Sequence, residues 1–226
     1  MVEQFNLKPG QRAERKLQIT VIEWDGDTST DEYVLQTAQP ADWTTNYTSY
    51  YTKDGDVYEA VPAGSGAPTW EASTYYTKVS TPVKEREFLG TRTENSSVEF
   101  NSDIQKTTDI RGNTYTDVNK TEPEQSFDPY LVLGGSKLGA KLHDIMFRNA
   151  LTELNQFTAY LIAGYIGDAE HGYKAQKQTD CTITYDSWGG DASVNFPITV
   201  HYSNKTTPGV VDTLGDNFEF TPDVEI

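Results

Sequence analysis

Two runs of alternating apolar and polar residues near the C-terminal end require this chain to contain antiparallel β-structure. Residues 181–185 alternate strictly, and the alternation returns over 194–202 after a Gly-Gly-Asp turn at 189–191. Successive side chains of a strand point to opposite faces, so period-two alternation indicates a half-buried strand. Two such runs around a tight turn indicate a hairpin. The sequence therefore predicts a β-hairpin over 180–203.

The clearest helix signal lies in the middle of the chain. Ser136 is a suitable N-cap, because its hydroxyl can accept hydrogen bonds from free amides of the first turn. Apolar residues then follow at i, i+4, i+7 and i+8, namely Leu138, Leu142, Ile145 and Met146. That spacing places them on one face of a helix. We predict one helix, over 136–148.

A run at 157–166 is apolar on both of its alternate faces. Such a run is typical of a strand that is covered on both sides. We therefore predict that this strand is buried on both faces, with Phe157, Tyr160, Leu161, Ile162 and Tyr165 among its apolar and aromatic residues.

Composition agrees with a β-rich fold. Aromatic residues make up 12% of the chain, with 14 Tyr, 9 Phe and 4 Trp, and aromatic side chains favour strands. The single cysteine, Cys181, excludes an intrachain disulfide. The predicted fold class is mainly β: an antiparallel β-sandwich or barrel-like core from 1–38 and 82–226, with one flanking α-helix. A small aromatic-rich β-insertion is predicted at 39–81.

The insertion contains an internal echo, because the sequence Tyr-Tyr-Thr-Lys at 50–53 recurs at 75–78. We interpret it as two short aromatic hairpins joined by a loop. Residues 39–81 contain no Leu, Ile, Phe or Met, so the aromatic rings are the main candidates for a small core. Alternatively, some of the rings are exposed and bind a partner such as a sugar. The candidates for outer-surface contacts are Trp43, Tyr50, Tyr51, Trp70, Tyr75 and Tyr76.

Residues 105–133 show little periodicity. Loops longer than about 15 residues inside a compact domain are usually functional arms or disordered segments. This one carries apolar and aromatic residues, so we predict an arm that docks on another surface. The candidate contacts are Ile110, Tyr115, Val118, Phe127 and Tyr130.

No catalytic, metal or cofactor motif is found in the sequence. The three histidines, His143, His171 and His201, lack the spacing of metal ligands. No serine lies in a Gly-x-Ser-x-Gly elbow, and the glycines before Ser136 lack the Walker spacing of a phosphate loop. We therefore predict no catalytic residues, no metal site and no cofactor, and we do not expect an enzyme.

The charge balance is strongly acidic, with 18 basic and 34 acidic residues and a net charge of −16. A chain of this charge is not expected to bind duplex DNA, which requires Lys and Arg, or an anionic membrane. Apolar runs stay below the ~18 residues of a transmembrane helix. The N-terminal residues lack the pattern of a signal peptide, so we expect synthesis and retention in a cytoplasm.

The stretch 87–132 resembles the major tail (tail tube) protein family of long-tailed, non-contractile bacteriophages. The resemblance is carried by 90–101 (GTRTENSSVEFN), 109–123 (DIRGNTYTDVNKTEP) and 125–129 (QSFDP), and the regions 136–148 and 180–203 continue it. It implies a β-sandwich with a flanking helix that assembles as hexameric rings stacked into a tube. In such an assembly, the strand at 157–166 would suit a sheet that continues between subunits, and its five residues named above become the candidate inter-subunit contacts. The arm of 105–133 would reach a neighbouring subunit or ring. It further implies a virion location in the tail, with tape measure and tail-terminator or initiator proteins as partners.

The resemblance gives the acidic charge a role. Six copies of a chain with a net charge of −16 carry −96 per ring. Carboxylates facing the lumen would repel DNA phosphates, so that the genome passes through without specific binding. Two alternatives remain open: a phage surface decoration or host-glycan-binding module that acts through 39–81, and a secreted carbohydrate-active enzyme. The missing signal peptide and the missing catalytic motif both oppose the second alternative.

Overall fold

The computed structural model describes residues 6–54, 57–64, 66–72, 74–90, 93, 96–191, 193–215 and 217–223. The strands are β1 Gln18–Leu35, β2 Tyr50–Asp54, β3 Val57–Ala60, β4 Tyr75–Leu89, β5 Val98–Glu99, β6 Asp103–Thr108, β7 Thr114–Lys120, β8 Glu124–Phe127, β9 Phe157–Asp168, β10 Gly172–Tyr185, β11 Ile198–His201, β12 Thr206–Val211 and β13 Phe220–Pro222. The α-helices are α1 Trp43–Asn46 and α2 Lys137–Arg148, and short 3-10 helices lie at Arg15–Leu17, Tyr47–Ser49 and Leu151–Asn155.

The chain divides into two units. The larger unit comprises Met1–Trp24 and Glu85–Ile226, and the smaller unit comprises Asp25–Lys84. The predicted insertion of 39–81 lies inside the smaller unit. That unit is wider than predicted because β1 and β4 are long strands, each with residues in both units.

In the larger unit, the strands follow the order β1-β9-β10-β11-β8-β5, and β12 pairs with both β10 and β13. The assigned pairs are antiparallel, for example Val21 opposite Tyr160 between β1 and β9. The sheet is open rather than closed into a barrel. These findings confirm the predicted mainly β, antiparallel, sandwich-like class with a flanking helix.

Two apolar clusters cover opposite faces of this sheet. One contains Ile22 and Trp24 of β1 with the buried stripe of α2, and the other contains Val21, which precedes Ile22 in the same strand. Strand β9 contributes Phe157 to the first cluster and Tyr160 to the second. The prediction that this strand is covered on both faces is therefore confirmed.

The predicted helix and C-terminal hairpin are also confirmed. In α2, the Ser136 hydroxyl accepts a hydrogen bond from the Gly139 amide at 3.0 Å, and Leu138, Leu142 and Ile145 are buried. Strands β10 and β11 pair with Tyr185 opposite Ile198.

The smaller unit has the strand order β3-β2-β4-β1. The two copies of the sequence echo pair with each other, because Tyr51 of β2 lies opposite Tyr76 of β4. The prediction of two separate hairpins is therefore wrong: β2 and β3 form one hairpin, and the second copy belongs to the long strand β4. Residues 55 and 56, between β2 and β3 in the sequence, lie outside the described residues, as do four residues of the segment 90–101.

Candidate assembly and recognition surfaces

Strands β6 and β7 form a two-stranded hairpin whose strand residues are all exposed, and it constitutes a sheet of its own. This hairpin is the first part of the predicted arm of 105–133. Ile110 in its loop is fully exposed, and Tyr115 and Val118 are 55% and 61% exposed. Ile104, also exposed, lies directly opposite Val118. The hairpin therefore presents apolar side chains to solvent.

The loop of this hairpin is held in place by the Asp109 carboxylate. It accepts hydrogen bonds from the backbone amides of Arg111 and Asn113 at 2.8 and 2.9 Å and from the Tyr115 hydroxyl at 3.3 Å. Hydrogen bonds from the Asn113 side chain and amide lower the pKa of Asp109. The bonds favour a conformation in which Ile110 projects into solvent. This feature is not evident from periodicity, because neither strand has a buried face.

Phe127 and Tyr130, the other two predicted arm contacts, do not belong to an arm. Phe127 is 1% exposed and Tyr130 is 7% exposed, and both lie in the cluster beneath α2. The chain re-enters the main sheet at β8, where Ser126 lies opposite Thr199 of β11. Of the segment predicted as an arm, only the hairpin within 103–120 is separate from the main sheet, and these two aromatics belong to the core of the larger unit.

The five residues predicted for an inter-subunit sheet lie on the central strand β9 of the larger unit. Residues 158–163 of β9 pair with β1 along one edge, and β9 pairs with β10 along the other, so this stretch has no free edge. Phe157, Tyr160 and Ile162 are buried, and Leu161 and Tyr165 are half-buried. The interpretation of Phe157, Tyr160 and Ile162 as inter-subunit contacts is therefore wrong, although the apolar pattern correctly indicates burial on both faces. For the half-buried Leu161 and Tyr165 it stays a prediction.

An exposed aromatic pair lies beside the C-terminal half of α2. Phe147 is 68% exposed and Trp188 is 57% exposed, and their rings meet edge-to-face with centroids 5.6 Å apart. His143 contacts both rings and packs against the buried Phe196. No periodic pattern in the sequence predicts this pair. Its one available signal is that Phe147 is a large aromatic residue off the apolar stripe of the helix.

The N-terminal end of α2 already has an anion from the same chain. The Glu87 carboxylate accepts hydrogen bonds from the Ser136 hydroxyl at 2.9 Å and from the Leu138 amide at 3.0 Å. A pocket of about 420 Å³ adjoins this end, lined in part by Tyr130 and Lys137. Because Glu87 supplies the negative charge that a helix N-terminus favours, the end is satisfied without an external anion.

The predicted outer-surface aromatics of the smaller unit separate onto the two faces of its sheet. Trp43, Tyr50 and Tyr75 are buried with Val61 in one cluster, against which Trp70 packs. Trp43, Tyr50 and Tyr75 form the unit's core, so their interpretation as surface contacts is wrong. For the partly buried Trp70 it stays a prediction. Tyr51 and Tyr76, in contrast, are half-buried and face the other side of the sheet.

Chemical features elsewhere are sparse. Burial raises the pKa of the Cys181 thiol, which disfavours its nucleophilic thiolate form. Over the described ranges, no group of three or more His, Cys, Asp or Glu residues is arranged to hold a metal ion. In the same part of the chain, no helix has the length and apolar character needed to cross a bilayer.

Comparison with known proteins finds no relative. No protein-family model matches the chain, and neither the curated proteins nor the solved structures give a significant match.

Proposed function

We propose that this chain is a structural subunit of a phage tail tube. In this proposal it polymerises as stacked hexameric rings in the virion, and the genome passes through the bore during ejection. The proposal rests on the resemblance of 87–132 to major tail proteins. Tape measure and tail-terminator or initiator proteins are its proposed partners.

The observation that carries the proposal is the exposed β6–β7 hairpin. A single two-stranded hairpin is marginally stable in water. Covering its apolar side chains with a partner lowers the free energy, because apolar surface is removed from water. Ile104, Ile110 and Val118 are all more than half exposed in the isolated chain. A neighbouring subunit that covers them would stabilise the hairpin and join two copies.

The aromatic pair Phe147–Trp188 supports the proposal independently. It is a second exposed apolar surface in the larger unit, distinct from the hairpin. Contacts between unlike surfaces of identical subunits are heterologous, and such contacts generate closed rings or open helical stacks. Ring formation and stacking both require contacts of this kind.

Electron microscopy of the concentrated full-length chain tests the proposal. We expect hollow tubes or six-fold rings in negative stain. Uniform monomers at every concentration would contradict self-assembly.

A variant without the hairpin tests the role of that element. Residues 104–119 are replaced by an Asn-Gly turn, which suits a two-residue connection between the paired Asp103 and Lys120. We expect a folded monomer that forms neither rings nor tubes. The replacement ends before β8, because a deletion that reached Tyr130 would also remove that strand and a core residue.

Two point variants test the hairpin loop more finely, one in the loop and one as a matched control. Ile110→Asp places a charge on a fully exposed side chain, so we expect an unchanged fold and reduced assembly. Ala63→Asp adds the same charge to an exposed loop of the smaller unit and leaves assembly unchanged. Equal assembly by the two variants would show that the hairpin loop lies outside the interface.

A further inference from the structure

Four tyrosines, one from each strand of the smaller unit, form a continuous aromatic surface that we name the tyrosine face: Tyr33, Tyr51, Tyr58 and Tyr76. Tyr33 of β1 and Tyr58 of β3 stack with their ring centroids 4.3 Å apart. The rings meet above the sheet, although β2 and β4 lie between β1 and β3. Tyr51 meets Tyr33 edge-on at 5.2 Å, and Tyr76 meets Tyr58 at 4.9 Å. All four rings are half-buried, so each keeps part of its surface in solvent.

The hydroxyl groups of the tyrosine face are available for hydrogen bonds to a ligand. Within the part of the chain that the structure describes, none of the four phenol hydroxyls has a hydrogen-bond partner. On the core side of the same sheet, by contrast, the Tyr50 hydroxyl donates to Asp42 at 2.6 Å and the Trp43 indole donates to the Pro68 carbonyl at 3.0 Å. The tyrosine face thus combines rings fixed by mutual contact with free donors and acceptors, as paratopes rich in tyrosine do.

The charge around the face restricts what it can bind. Lys78 lies near Tyr33 and Tyr51, but its ammonium group is paired with Asp31 at 2.8 Å, and the hydrogen bond to Asp31 raises the pKa of Lys78. Residues 25–84 contain nine acidic and three basic residues, a net charge of −6. An acidic glycan, a nucleic acid or the same face of a second copy would be repelled.

We propose that the tyrosine face binds a neutral oligosaccharide. The C–H groups on one side of a pyranose ring carry partial positive charge and pack against the negative faces of aromatic rings. Sugar hydroxyls supply both donors and acceptors to the phenol groups, and a neutral sugar escapes the repulsion of the acidic unit. This inference is independent of tube assembly, because it concerns the smaller unit alone.

Calorimetric titration of the full-length chain with defined sugars tests the proposal. The neutral probes are cellohexaose, maltohexaose and chitohexaose, and the acidic probe is hexagalacturonate. We expect at least one neutral hexasaccharide to bind and hexagalacturonate not to bind. No binding of any of the three neutral probes, or preference for the acidic probe, would overturn the proposal.

Variants then locate the site. Tyr58→Ala should weaken binding by roughly tenfold or more, as truncation of a central aromatic contact does. The matched control is Tyr115→Ala in the β6–β7 hairpin of the larger unit, where an exposed tyrosine is removed without effect on sugar binding. Equal losses in both variants, or no loss for Tyr58→Ala, would place the sugar elsewhere.

A direct measurement avoids dependence on a folded Tyr58→Ala variant. Ring resonances of 13C-labelled tyrosine are recorded during the titration, and Tyr→Phe variants at 33, 51, 58 and 76 assign the signals of the face. We expect these four signals to shift while that of Tyr115 does not. Binding that leaves the four signals unchanged would overturn the proposal.

Discussion

The carboxylate of Glu87 accepts a hydrogen bond from the backbone amide of Leu138 at 3.0 Å, so a side chain of β4 caps helix α2. The same carboxylate accepts hydrogen bonds from the Tyr130 hydroxyl and the Ser136 hydroxyl, each at 2.9 Å. Burial is the main cause of the raised pKa of Tyr130, which therefore remains a donor. One acidic side chain thus joins strand, loop and helix in the larger unit.

Glu87→Gln should lower the free energy of unfolding by about 1–2 kcal/mol, because it removes a charge-assisted helix cap. Urea unfolding followed by far-UV circular dichroism measures the change. Glu85→Gln is the matched control, since Glu85 pairs with the largely exposed Lys137 at 3.2 Å and should contribute less than about 0.5 kcal/mol. Equal losses in the two variants would contradict a specific capping role for Glu87.

Stability should depend on Glu153 in acid. Hydrogen bonds from Arg148 and then Lys141 lower the pKa of Glu153 to about 2. Because this pKa lies below the value of about 4.3 for a glutamate in the unfolded chain, the ionised carboxylate stabilises the fold above about pH 4. That contribution is lost as the pH falls towards 2.

Glu153→Gln should therefore be less stable than the parent at pH 7, by at most about 1 kcal/mol for a partly exposed ion pair. This difference in the free energy of unfolding between variant and parent should be largely lost at pH 2. Urea unfolding at pH 7, 4 and 2 measures it, with Glu170→Gln on an exposed turn as the control. A difference that persists unchanged at pH 2 would show that the carboxylate acts through packing rather than charge.

Trp43 should dominate the stability of the smaller unit. It is 2% exposed, contacts Tyr50, Trp70 and Tyr75, and donates its indole hydrogen to a carbonyl. Trp43→Ala should cost about 3–5 kcal/mol through lost burial and a cavity. Unfolding of the smaller unit, followed by aromatic circular dichroism, measures this cost.

Trp188→Ala provides the comparison for Trp43→Ala, since Trp188 is 57% exposed. Exposed substitutions usually change stability by no more than about 0.5 kcal/mol. If the two tryptophan variants were equally destabilised, the assignment of Trp43 to a core and Trp188 to a surface would be wrong.

The double variant Phe147→Ser, Trp188→Ser tests the second proposed interface. We expect an unchanged melting temperature and a loss of rings or tubes, since both rings are exposed in the isolated subunit. Sedimentation velocity and electron microscopy measure assembly. Leu35→Ser, at a 39% exposed position of the smaller unit, serves as the control and should assemble normally. Normal assembly by the double variant would remove this pair from the interface.

Hydrophobic periodicity predicted helices and strands correctly where one face of the element is buried and the other is exposed. The stripe of Leu138, Leu142 and Ile145 predicted α2, and the alternation in 181–185 predicted the pairing of β10 with β11. In both elements the sequence pattern reflects burial directly, because the fold exposes one face of the element and covers the other.

Periodicity gave no guide where a stretch is aperiodic, because residue type alone does not show which apolar side chains are buried and which are exposed. Phe127 and Ile110 lie in one aperiodic stretch, yet the first is 1% exposed and the second is fully exposed. Their difference depends on whether the segment pairs with β11, and that pairing joins residues some 70 positions apart in the chain. Tyr33 and Tyr58 were missed for a related reason, since their stacking requires the whole four-stranded sheet.

The sequence by itself determined the β-rich class, the helix, the acidic charge and the presence of an aromatic-rich segment, because composition and short-range periodicity encode these properties. Only the tertiary structure decided which aromatic residues form cores and which remain on surfaces. Strand order and register assign each side chain to a face, and both depend on long-range pairings that no local pattern specifies. The exposed hairpin, the pair Phe147–Trp188 and the tyrosine face all emerged at that level.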